Sequence, residues 1–139
     1  MGILIIDDSA DDAAMLSRTL ARVGISNEIR CATSCAEAQL YLSELSRDDA
    51  RANAGPSVIF LDLKLSEMDG FELLQWIRAQ NRFSRTLIVA FSGLNDLKSV
   101  RRAYSLGANT FLFKPARNQD LENLIQGFPG YWDRRGEGD

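Results

Sequence analysis

Five polar side chains in this chain follow or close apolar runs. Asp7 and Asp8 follow Ile3-Leu4-Ile5-Ile6, and Asp62 follows Val58-Ile59-Phe60-Leu61. Ser92 follows Leu87-Ile88-Val89-Ala90-Phe91, and Lys114 follows Phe111-Leu112-Phe113. A sixth, Asp69, lies in the loop beyond Asp62. Bare carboxylates brought close together repel and raise each other's pKa. A hard divalent cation such as Mg2+ relieves that repulsion, taking carboxylate oxygens and water as ligands. An aspartate can also act as a nucleophile and form an aspartyl phosphate. Catalysis is then mostly positioning and charge neutralisation of the phosphoryl oxygens. A lysine and a hydroxyl suit two of those oxygens and the metal suits the third, so the set points to a Mg2+-dependent phosphoryl site.

That chemistry requires the five positions to converge, and the order of elements supplies a way. Met1 to Ile6 and Val58 to Asp62 are short continuous apolar runs, the pattern of strands buried on both faces. Thr86 to Phe91 and Thr110 to Phe113 read as the fourth and fifth strands. Ile25 to Cys31 alternates and reads as a second strand at an edge. Helical spacing falls between them, at Asp11 to Val23, Ala36 to Leu45, Phe71 to Ile77, Asn95 or Asp96 to Leu106, and Asn118 to Gln126. Ser9 suits an N-cap and Gly24 a C′ position. Five alternations of strand and helix predict an α/β fold, a doubly wound, five-stranded parallel sheet with five helices on its two faces. In the flavodoxin-like order 2-1-3-4-5, the first and third strands are neighbours at the switch point, where such folds bind ligands. Asp7, Asp8 and Asp62 would meet there.

The gross numbers fit one ordinary domain. The chain has 139 residues, 45% apolar and 25% charged. A formal net charge of −3 without clustered basic residues argues against nucleic acid. No run approaches the roughly 20 apolar residues of a membrane span, and the N-terminus lacks a secretory signal pattern. Histidine is absent, which removes Ser-His-Asp catalysis and most zinc sites. Cys31 and Cys35 are spaced CxxxC, not the CxxC of redox or zinc sites, and read as two unconnected thiols. A cytoplasmic protein is expected.

Asp7-Asp8, Asp62 within FLDLKLSEMDGFELL, Ser92 closing LIVAFS, and Lys114-Pro115 together resemble response-regulator receiver domains, the CheY-like family. The likeness runs from about residue 2 to 127. It implies a receiver domain over residues 1–127, followed by an aromatic segment and polar tail over 128–139. It also implies that Asp62 is the phospho-acceptor, with Asp7, Asp8, Asp62 and the Lys64 backbone carbonyl holding Mg2+. Ser92 becomes the switch hydroxyl, Lys114 the phosphate-binding lysine and Phe111 the aromatic switch residue. Lys64 and Leu94 stand where the family varies and phosphoryl lifetime is tuned. A sensor histidine kinase is the implied phosphodonor. Within the family the chain is similar to the small stand-alone regulators of bacterial phytochromes, on its long loop after the second helix and on Gly130-Tyr131-Trp132.

The expected function is therefore a single-domain response regulator, a switch and not an enzyme beyond any self-catalysed phosphorylation and dephosphorylation. Two alternatives use the same residues: an unphosphorylated receiver-like binding module, and an aspartyl-phosphate phosphatase of the haloacid dehalogenase type. The phosphatase fits less well, since its nucleophile lies in a DxD motif and Asp7-Asp8 are adjacent. Asp69 before Gly70 reads as a turn residue. Leu94, Leu97, Val100 and Tyr104 read as the buried face of the fourth helix, with part of that stripe open to a partner. Phe128, Tyr131 and Trp132 must either fold back on the domain or bury in a homodimer. The dimer is the expectation, formed by these aromatics and the face of the fourth helix, fifth strand and fifth helix.

Overall fold

The computed structural model describes residues 1–46, 55–65, 69–93 and 96–135. Five strands, β1 (Gly2–Ile6), β2 (Glu28–Ala32), β3 (Val58–Leu61), β4 (Leu87–Ser92) and β5 (Thr110–Phe113), alternate with five helices. The helices are α1 (Ala10–Arg22), α2 (Cys35–Ser46), α3 (Gly70–Arg78), α4 (Leu97–Ser105) and α5 (Asn118–Gly127). All strand pairs are parallel, in the order β2-β1-β3-β4-β5. This is the predicted doubly wound arrangement.

Every residue of β3 and β4 is buried, as their unbroken apolar runs require. Alternate side chains enter two cores. Leu4, Ile6, Ile59, Leu61 and Ile88 meet Leu42 of α2, Leu74 and Ile77 of α3 and Ala103 of α4. Ile3, Ile5, Phe60 and Val89 meet Leu16 and Leu20 of α1 and Leu121 and Leu124 of α5 on the other face. Burying each such side chain stabilises the fold by about 1.5–3 kcal/mol before entropy is counted.

The local signals explain the helix ends. Ser9 caps α1, its Oγ accepting from Asp12 N–H at 3.2 Å, and Gly24 beyond the helix adopts φ +92°. Asp69 caps α3, accepting from Phe71 N–H at 3.0 Å, which is the structural role expected of it.

The structure refines three expectations. The second strand lies at Glu28–Ala32, not Ile25–Cys31. Ile25 instead bridges antiparallel to Arg134, and Asn27 bonds Tyr131 O and Asp133 N–H. Leu97 and Tyr104 are exposed, and α4 buries Ala103 instead. Leu94 lies outside the described residues. Third, the C-terminal aromatics fold back. Phe128, Tyr131 and Trp132 pack on the α1/α5 core, with the Trp132 ring 6.4 Å from that of Phe60. Trp132 Nε1–H donates to Phe128 O at 2.9 Å. Each of the three residues is half-buried in this packing. The polar stretch behind them is held too: Ser57 Oγ donates to Tyr131 O, and Arg134 donates to Val23 O and pairs with Glu122.

Neither Cys31 nor Cys35 is in a disulfide. Among the described residues, no helix is long and apolar enough to cross a membrane.

Candidate functional site

The parallel sheet delivers its C-terminal strand ends to one rim. Asp7 continues the β1 ladder, its N–H donating to Ala32 O at 3.0 Å, and Asp62 N–H donates to Ile6 O at 2.9 Å across the β1/β3 seam. The two carboxylates are thus fixed by backbone pairing on either side of the switch point. Local turns then aim them. Asp7 Oδ1 accepts from Ser9 N–H at 2.9 Å, and Asp62 Oδ1 accepts from Lys64 N–H at 2.9 Å. Gly70 closes the acceptor loop: its N–H donates to Leu63 O, and a Cβ there would stand 2.5 Å from both Asp62 O and Leu63 Cα. Only glycine fits.

Asp7, Asp8 and Asp62 each offer an oxygen within 4.8 Å of the others. Asp7 is fully buried and Asp62 nearly so, while Asp8 faces solvent. Lys114 reaches in from the end of β5. Its Nζ lies 2.7 Å from Asp7 Oδ2, 3.1 Å from Asp62 Oδ2 and 3.0 Å from Asp12 Oδ2. The Lys114-Pro115 peptide bond is cis. Burial pushes the Asp7 carboxyl up, and the Asp62 charge adds to this, while Lys114 and the Ser9 N–H work against it. Burial alone would lower the Lys114 ammonium; hydrogen bonds to Asp7 and Asp12 and the Asp62 charge raise it overall. The lysine is therefore permanently charged at neutral pH.

Ser92 ends β4, fully buried, beside this cluster; its carbonyl accepts from Lys114 N–H at 3.0 Å. Phe111 lies in β5. It is half-buried, opposite Ala90 in the ladder, with its ring 5.1 Å from that of Phe113. The Lys64 backbone sits in the turn directly after Asp62. Asp12 is the residue that sequence reasoning missed. Its one signal was its place in the first turn of α1, three residues after the cap.

The donor set fits a hard cation. Three carboxylate oxygens converge without sulfur or imidazole, a preference of Mg2+ or Mn2+ over softer metals. Lys114 offsets part of the repulsion between Asp7 and Asp62, and a divalent cation would offset the rest.

The chain matches the response regulator receiver domain family over residues 3–126. It is 28% identical to chemotaxis protein CheY1 of Helicobacter pylori (strain J99) over 126 residues, 91% of this chain and 94% of that one. The solved bacteriophytochrome response regulator RtBRR superposes with a TM-score of 0.81 at 28% identity, covering 99% of this chain and 83% of its own. The Mn2+-bound form of response regulator Rcp1, from Synechocystis sp., gives a TM-score of 0.67 at 26% identity, over 90% of this chain and 88% of its own. The haloacid-dehalogenase alternative finds no support in these matches.

Proposed function

The chain belongs to the response regulator receiver domain family, and we propose that it works as a single-domain phospho-acceptor switch in a two-component system. The observation that carries this is the convergence of Asp7, Asp8 and Asp62 within 4.8 Å, with Lys114 bonded to two of them. Asp62 is the nucleophile. One of its carboxylate oxygens bonds to phosphorus as the P–N bond of the kinase phosphohistidine breaks, the electron pair staying on the imidazole nitrogen, which takes a proton. Lys114 carries its charge to one phosphoryl oxygen and the Ser92 hydroxyl bonds another. Asp7, Asp8, Asp62 and the Lys64 carbonyl would hold Mg2+, which would neutralise carboxylate and phosphoryl charge. Phe111 then repacks as Ser92 moves, changing the face of α4, β5 and α5; the phosphoryl charge biases two packings of one chain.

The donor is a sensor histidine kinase. Likeness to RtBRR, and to AtBRR at a TM-score of 0.79 over 98% of this chain, supports a bacteriophytochrome as that kinase. The exposed Leu97, Tyr104 and Phe113 on the α4/β5 side suit a protein partner or a homodimer. The protein acts in the cytoplasm, without nucleic acid, and has no catalytic turnover beyond gain and loss of its own phosphoryl group.

Incubation with acetyl phosphate tests this, with and without Mg2+. The expected product is an acid-stable, base-labile phosphoryl adduct that needs the metal and is lost in Asp8→Asn. Steady turnover of varied phosphate esters would instead reveal a phosphatase.

A further inference from the structure

Three carboxylates use every hydrogen that Lys114 can donate. An ammonium has three N–H groups, and Asp7, Asp12 and Asp62 take one each. As Asp62 becomes an acyl phosphate its own Lys114 bond can pass to a phosphoryl oxygen, but Asp7 and Asp12 still draw on the charge that the phosphoryl group needs. Asp7 is fully buried and belongs to the converging metal-type set with Asp62. Asp12 lies outside that set, and its side chain is 43% exposed, so water can replace its bond. Its backbone stays fixed by the Ser9 cap when the side chain leaves.

We propose that Asp12 is a positioning residue that holds Lys114 before phosphorylation and competes with the incoming phosphoryl group for its charge. This inference rests on the phospho-acceptor reading above. With acetyl phosphate, an Asp62 oxygen forms the new P–O bond while the P–O bond to the acetyl group breaks. The electron pair leaves on acetate, so carboxylate enters and carboxylate departs with no net proton. Removing the Asp12 charge frees a Lys114 donor and also lessens repulsion of the phosphoryl oxygens. Both effects push in the same direction.

The test follows adduct formation by intact mass over a range of acetyl phosphate, in Mg2+, for four proteins. Asp12→Asn is expected to run about two- to five-fold faster than wild type at subsaturating donor, the size set by a half-exposed charge pair. The gain should appear as a lower half-saturating acetyl phosphate concentration. Asp12→Glu keeps the charge and should stay at the wild-type rate. Asp11→Asn removes the same charge from the same exposed turn and should also leave the rate unchanged. An Asp12→Asn rate equal to or below wild type overturns the inference, as does an equal gain in Asp12→Glu or Asp11→Asn. In each of those results the wild-type adduct still forms, so the phospho-acceptor reading survives. Absence of a wild-type adduct overturns both.

Discussion

At the scale of single residues, Asp7 and Lys114 define the electrostatics of the rim. Asp7 binds its proton more tightly folded than unfolded, since burial holds it above its ordinary value of 3.8. Its contribution to stability is therefore greatest below pH 3.8 and falls as pH rises through the raised value. Lys114 follows the same sign in a far more alkaline window. Its pKa is raised above 10.5, so its contribution is present at neutral pH and is lost only above 10.5. Replacing Lys114 by Met leaves the buried Asp7 and Asp62 without their cation. Without Mg2+, urea denaturation should then show a loss of about 3–5 kcal/mol at pH 7. The loss should shrink toward pH 4 as Asp7 takes up a proton; a gap that does not vary with pH would contradict this account. The strand-end residues were legible because apolar runs located them. Asp12 was not, because an acidic residue in a first helical turn ordinarily serves the helix dipole. Its bond to Lys114, far along the chain, exists only in the fold.

At the scale of elements, the acceptor loop is pressed against the start of α3. A Cβ on Gly70 would meet backbone, not a movable side chain. Gly70→Ala should cost about 1–3 kcal/mol in a denaturant melt. It should also slow acetyl phosphate labelling, because Asp62 and Lys64 move with that loop. Unchanged stability would mean that the loop is softer than its packing implies. The buried strands β1, β3, β4 and the short β5 were readable from continuous apolar runs. The edge strand β2 was displaced in the reading, since Ile25 looks like strand but pairs with Arg134. Leu97 and Tyr104 have helical spacing, yet α4 meets the core through Ala103. Periodicity identifies an apolar stripe without saying how much of it is covered.

At the scale of the molecule, the C-terminal segment straps the bottom of the sheet to α1 and α5. Asn27, Ser57, Val23 and Glu122 all bond to it. Sequence alone left two covers for Phe128, Tyr131 and Trp132, because one chain does not reveal whose surface an aromatic meets. With Trp132 half-buried against Phe60, Trp132→Ala should lower stability by about 1–3 kcal/mol. Sedimentation velocity should find its association state unchanged from wild type. Weakened association would return the aromatics to an interface. A homodimer, if formed, would instead use the exposed apolar side chains of α4 and β5.

The account stands most directly on Asp62. Wild type and Asp62→Asn, treated side by side with acetyl phosphate and Mg2+, are compared by intact mass. A single phosphoryl adduct on wild type and none on Asp62→Asn is the predicted result. An adduct that persists in Asp62→Asn, or no adduct on wild type, would contradict it.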